Sequence, residues 1–153
     1  MTFAISTSDS VATQSLAGKL AGRLKGGEVI ELVSDLGGGK TTFVQGLASS
    51  LGYEGAVTSP TFALSQIYKL PSFEIHHYDL YRLGQSGVLG DELAEDVRDQ
   101  QIVTIIEWAG IVADELPRDR LVINFKVTGE TSRELSFASS GPVSDRLAEA
   151  VQS

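Results

Sequence analysis

Between Val29 and Phe43 the chain passes from an apolar run, Val29-Ile30-Glu31-Leu32-Val33, through Ser34-Asp35-Leu36-Gly37-Gly38-Gly39 into Lys40-Thr41-Thr42-Phe43. That order is a strand, a tight loop and a helix N-terminus, and it commits this part of the chain to an α/β sheet. Successive glycines let backbone N–H groups turn inward and approach an anion with no Cβ in the way. The helix start adds its own unpaired N–H groups. The stretch therefore reads as a cradle for a nucleotide polyphosphate, formed by Asp35, Leu36, Gly37, Gly38, Gly39, Lys40, Thr41 and Thr42. Lys40 reaches the β- and γ-phosphates as a point charge, and the Thr41 hydroxyl ligates Mg²⁺. The strict pattern G-x-x-x-x-G-K-[ST] places Gly where this chain has Ser34. If that position needs positive φ, Ser costs roughly 1–2 kcal/mol there; if not, nothing is lost.

The rest of the chain supplies a sheet around this loop. Residues 9–25 read as an amphipathic helix, with Leu16, Leu20 and Leu24 four apart, Asp9 or Ser10 as cap and Lys25-Gly26-Gly27 as stop. A helix over about 40–51 puts Phe43, Leu47 and Leu51 on one face, and Gly46 within it suggests close packing against the sheet. Phe62–Leu70 and Phe73–Asp79 read as strands joined antiparallel through Leu70-Pro71-Ser72. Leu89–Arg98 is an acidic helix. Gln101–Ile106 is a nearly continuous apolar run, the mark of a strand buried on both faces. Arg120–Val127 and Arg133–Ala138 form a hairpin around Gly129, and Val143–Val151 a terminal helix. The expected fold is a single α/β domain over residues 1–153, of P-loop NTPase type. Its central sheet has a parallel core and antiparallel additions and is flanked by helices.

Bulk properties agree with a soluble enzyme-sized domain. The 153 residues fit one core, and 42% hydrophobic content with a mean hydropathy of +0.05 is ordinary for a globular chain. No run approaches the roughly 18 apolar residues of a membrane span, no signal pattern opens the chain, and cytoplasm is the expected location. Without cysteine there is no disulfide framework and no thiolate metal site. A net charge of −8 argues against direct grip on a phosphate backbone, so any nucleic acid is reached through a partner. The alternative is that the acidity merely keeps the protein soluble.

Ligands of such sheets sit at the carboxyl ends of the strands. Two strands here end on a carboxylate, one on Asp79 and one on Glu107. If both run parallel to the strand entering the loop, both carboxylates arrive beside the γ-phosphate. Glu107, closing the most apolar strand, is assigned to the metal, and Asp79 to positioning a water or substrate. His77 shares the side of Asp79 and either hydrogen-bonds the site carboxylates or packs as a buried histidine. His76 points the other way. Trp108 either walls the nucleotide pocket or serves the core or a partner contact. Ser59 and Thr61 are either a γ-phosphate switch or a turn before a strand.

Four segments together carry a family resemblance. They are Asp35-Leu36-Gly37-Gly38-Gly39-Lys40-Thr41-Thr42-Phe43, Thr58-Ser59-Pro60-Thr61-Phe62, His77-Tyr78-Asp79-Leu80-Tyr81-Arg82-Leu83 and Glu107-Trp108. In order and spacing, from about residue 8 to 138, the chain resembles the TsaE (YjeE) family. Its members are P-loop ATPases needed to make threonylcarbamoyladenosine on tRNA. The resemblance implies that Lys40 and Thr41 bind phosphate and Mg²⁺, that Glu107 completes the metal site and that Asp79 matters for hydrolysis. It also implies that Ser59-Pro60-Thr61 is switch-like and that Trp108 lies beside the nucleotide. Implied with it are ATP and Mg²⁺ as ligands and the partner proteins TsaD and TsaB, with tRNA reached only indirectly. ATP turnover would reset that assembly. The chain departs from the family pattern in two places: at Ser34, and at Ala109-Gly110 after the tryptophan.

Two other readings fit the same loop. A small-molecule kinase needs an arginine lid, and Arg82, Arg98, Arg118 and Arg120 are scattered. A non-hydrolysing nucleotide-dependent binding module needs only the cradle. A GTPase base reader is absent, since Asn124-Phe125-Lys126-Val127 is not Asn-Lys-x-Asp.

Overall fold

The computed structural model describes residues 1–34, 37–58, 65–80 and 87–153. Among the described residues, seven strands make one sheet: β1 (Thr2–Thr7), β2 (Val29–Val33), β3 (Ser65–Lys69), β4 (Glu74–Asp79), β5 (Ile102–Glu107), β6 (Leu121–Val127) and β7 (Arg133–Ala138). Their spatial order is β1-β7-β6-β2-β5-β4-β3. β6, β2, β5 and β4 are mutually parallel, while β7 and β3 run against them. The parallel core with antiparallel additions is thus the observed architecture. β5 is buried along its whole length, as a strand covered on both faces must be.

The helices are α1 (Ser10–Ala21), α2 (Lys40–Ser50), α3 (Gly87–Asp96) and α4 (Pro142–Gln152), with a 3₁₀ segment at Ala109–Glu115. One sheet face carries the larger core: Ile30, Leu32, Ile75, Val103 and Ile105 pack there with Leu20, Phe43 and Leu47 of α1 and α2 and Leu147 of α4. The other face is thinner, with Val29, Tyr78 and Ile106 against Leu93 of α3 and Val112 and Leu116 of the 3₁₀ segment. Strand alternation assigns the faces, so Asp79, Glu107 and His77 share the side of Ile75 and Ile105, and His76 faces α3.

Several sequence expectations need correction. α1 stops at Ala21 rather than running to residue 25. The buried carboxylate of Glu28 captures the N–H groups of Lys25 (3.0 Å) and Gly26 (2.8 Å), which holds this stretch in a turn instead. Asp9, not Ser10, is the cap, accepting from the Ala12 N–H at 2.8 Å. Gly46 packs against α1 and not the sheet: a Cβ there would lie 2.5 Å from the Gln14 Cα, so the glycine permits the close α1–α2 crossing. The strand expected over residues 62–70 is Ser65–Lys69 among the described residues, and the acidic helix begins at Gly87. β1 and the 3₁₀ segment have no counterpart in the sequence reading. β1 pairs with β7 from Thr2↔Ala138 to Thr7↔Arg133.

Candidate functional site

The loop between β2 and α2 takes its shape from two left-handed residues, Gly37 (φ 81°) and Gly39 (φ 104°). A side chain at either would be strained, which is the local reason for glycine there. Ser34 is not among the positive-φ residues, so its serine carries no strain and the departure from the strict pattern is harmless to the backbone. Gly39 is the N-cap of α2 with no side-chain cap, and the Phe43 N–H to Gly39 carbonyl bond (3.0 Å) belongs to the first turn of the ladder. The N–H groups ahead of it have no partner within the helix, an arrangement that suits an anion. Asp35 and Leu36 lie outside the described residues, as do Ser59, Pro60, Thr61 and Arg82.

Lys40 is buried at the start of α2, its Nζ 3.2 Å from the Ser34 carbonyl and 3.3 Å from Glu107 Oε1. Thr41 and Thr42 follow it, both half-buried. Sheet register brings the carboxylates to the same place: Leu32 pairs with Glu107, and Glu107 with Asp79, across three adjacent parallel strands. Asp79 and Glu107 are both buried. Glu107 Oε2 accepts a hydrogen bond from His77 Nε2 at 2.6 Å. Burial pushes the Glu107 pKa up, but His77 and Lys40 together outweigh it and hold the carboxyl below its ordinary value. His77 is both a site neighbour and a wholly buried side chain.

Trp108 follows Glu107 in a left-handed conformation (φ 59°), and it has the only positive φ of a non-glycine residue among the described ones. Its ring stands over Lys40, with the centroid 5.0 Å from Nζ. That twist turns the chain out of β5 into the 3₁₀ segment; strain of this kind clusters at functional sites. On the opposite flank of the loop lies a cleft of about 230 Å³, lined by Asp9, Ser10, Thr13, Gly39, Thr42, Glu130, Thr131 and Arg133. Arg133 donates Nη1–H to the Ser132 carbonyl at 2.8 Å, while its buried Nε has no hydrogen-bond partner. Sequence reasoning passed over this group. Its only sequence signal is an arginine opening the strand after a hairpin, and strand order alone brings it next to Gly39.

The chain as a whole is similar to known proteins. The sequence model of the family described as threonylcarbamoyl adenosine biosynthesis protein TsaE matches residues 7–135. The chain belongs to the TsaE family. The TsaE protein of Bacillus subtilis is 36% identical over 138 residues, covering 90% of this chain and 85% of that one. The TsaE protein of Treponema pallidum is 38% identical, covering 79% of this chain and 90% of its own. The crystal structure of Bacillus subtilis YdiB superposes with a TM-score of 0.80 at 32% identity, covering 99% of this chain and 95% of that one. The TsaE-type architecture therefore extends beyond the matched segment to β1 and α4.

Proposed function

We propose that this TsaE-family chain binds Mg²⁺-ATP and hydrolyses it slowly within the machinery that makes threonylcarbamoyladenosine on tRNA, with turnover coupled to TsaD and TsaB. One observation carries the reading. Lys40 and Glu107 meet at 3.3 Å at the carboxyl end of the parallel strands, beside a glycine loop and an uncapped helix start. A buried lysine at a helix N-terminus concentrates positive charge where phosphate oxygens would arrive.

The residues fit the ligand on both flanks of the loop. The cleft with the unpartnered Arg133 Nε suits the ribose and base, and the glycines and the first turn of α2 suit the phosphates. Among the described residues no group of three or more His, Asp or Glu is arranged to hold a metal. A magnesium ion there would take Thr41 and Glu107 from the protein and the rest of its oxygens from phosphate and water. When bound it neutralises charge building on the transferring phosphoryl group. Lys40 exchanges Glu107 for a phosphate counter-ion, which frees Glu107 Oε1. Asp79 orients a water for in-line attack and takes its proton as the bond from the γ-phosphorus to the bridging oxygen breaks, giving ADP and phosphate. Trp108 screens Lys40 from solvent on one side.

The test is ATP hydrolysis by the purified chain alone and with the TsaD–TsaB pair. The expected result is slow turnover alone, stimulation by the pair, and loss of activity in Lys40→Ala and Glu107→Ala. Hydrolysis unchanged in Lys40→Ala would overturn the assignment. Tight nucleotide binding with no turnover even beside the pair would make this a binding module.

A further inference from the structure

We propose that His77 is a positioning residue that holds Glu107 ready for the cation, by anchoring one carboxylate oxygen to the sheet while the other changes partner. The inference rests on the metal assignment above and deepens it. Glu107 has its two oxygens tied to two kinds of element. Oε1 meets Lys40, a long side chain at a helix start; Oε2 accepts the Nε2–H of His77 at 2.6 Å, from the middle of the neighbouring strand. Lys40 must leave for the phosphates when a nucleotide binds. His77 has no such alternative.

The ring is completely buried, and its other nitrogen, Nδ1, has no hydrogen-bond partner. The bond to Glu107 is therefore its one side-chain hydrogen bond. The buried Nδ1 carries a desolvation cost that packing alone does not repay, since an apolar side chain of similar size would fill the space without it; the bond to Glu107 is what a histidine adds. Position adds to the argument. His77 and Asp79 lie on the same face of β4, two residues apart, and Asp79 pairs with Glu107 across to β5. The imidazole thus sits behind the carboxylate, on the side away from the loop, where it fixes orientation without occupying the ligand's place. Without it, both oxygens of Glu107 are released when Lys40 departs, and the cation must order the side chain itself.

The experiment measures affinity for a non-hydrolysable ATP analogue with Mg²⁺ and with chelator, in the full chain and in His77→Leu, His77→Gln and Glu107→Gln. The quantity read is the gain in affinity that Mg²⁺ brings. His77→Leu should keep the metal-free affinity and lose about 10–100-fold of the gain, the usual effect of removing a residue that orients a metal ligand. His77→Gln, which retains an N–H donor of similar reach, should recover most of it. Should His77→Leu fail to fold, His77→Asn replaces it, since its amide is too short to reach Glu107. A full Mg²⁺ gain in His77→Leu or His77→Asn overturns the positioning role. So does an equal loss of metal-free affinity, which marks a merely structural residue. A full gain in Glu107→Gln instead removes the metal from Glu107, and the proposed site fails with it.

Discussion

His76 and His77 are consecutive residues of one strand and serve opposite faces of the sheet. His77 is buried on the side of the larger core and bonds a single carboxylate, Glu107, beside the glycine loop. His76 faces the thin layer and bridges two carboxylates, Asp96 of α3 at 2.7 Å and Glu74 of its own strand at 3.0 Å. Tyr78, two residues on, donates its hydroxyl hydrogen to the same Asp96. One histidine therefore ties two neighbouring strands together at Glu107, while the other ties a helix to the sheet where few apolar groups do so. The thick face holds His77 by burial among packed layers, while the thin face adds polar links to its smaller apolar cluster.

Breaking the apolar layer on each side tests this most strongly. Phe43 is buried at the sheet-facing side of α2, edge-on to Phe125 at 5.7 Å, and Phe43→Ala should cost about 3–5 kcal/mol in denaturant unfolding. Leu93→Ala, on the thin face, should cost about 2–3 kcal/mol and accelerate amide exchange in α3 before the rest of the sheet. Equal protection of α3 and α2 would contradict the division into a thick and a thin layer.

A smaller effect separates the two histidines. His76→Ala should cost about 1–2 kcal/mol and leave nucleotide affinity unchanged, because Glu74 is exposed enough to be partly screened. Burial works against the charged form of His76, but hydrogen bonds to Glu74 and Asp96 outweigh it and raise its pKa above the ordinary 6.5. Glu92, Glu95 and Tyr78 line the same recess. Below pH 6.5 both folded and unfolded chains carry the proton and the stabilisation is complete. It fades as pH climbs through the raised folded value. The melting-temperature advantage of the natural chain over His76→Gln should shrink from pH 6 to 8, and a growing advantage would reverse the assignment. Least of all, Ser34→Gly should leave ATP affinity unchanged, since Ser34 does not occupy a left-handed conformation. Calorimetry showing tighter binding in the glycine variant would mean the loop changes shape on loading.

Local signals were legible where spacing and chemistry coincide. Val29–Val33 as a strand, the helix from Lys40, the fully buried strand ending on Glu107 and the closing hairpin are all as the sequence implies. β1 was not, because Thr2–Thr7 is a short, largely exposed stretch that becomes a strand only by pairing with β7, more than a hundred residues later. The end of α1 was hidden for a similar reason. The Glu28 carboxylate claims the N–H groups of Lys25 and Gly26, where the helix was expected to end. Arg133 gave no local cue, since its nearness to Gly39 comes from strand order.

The sequence by itself determined the cradle, because glycine freedom, a lysine and a helix start act within a few bonds of one another. It also determined which strands end on carboxylates. Only the tertiary structure decided that β4 and β5 run parallel to β2, side by side, so that Asp79, Glu107 and Lys40 converge and His77 falls behind Glu107. Strand order and direction are set by long-range packing and pairing summed over the whole sheet, and no short stretch of residues contains that sum.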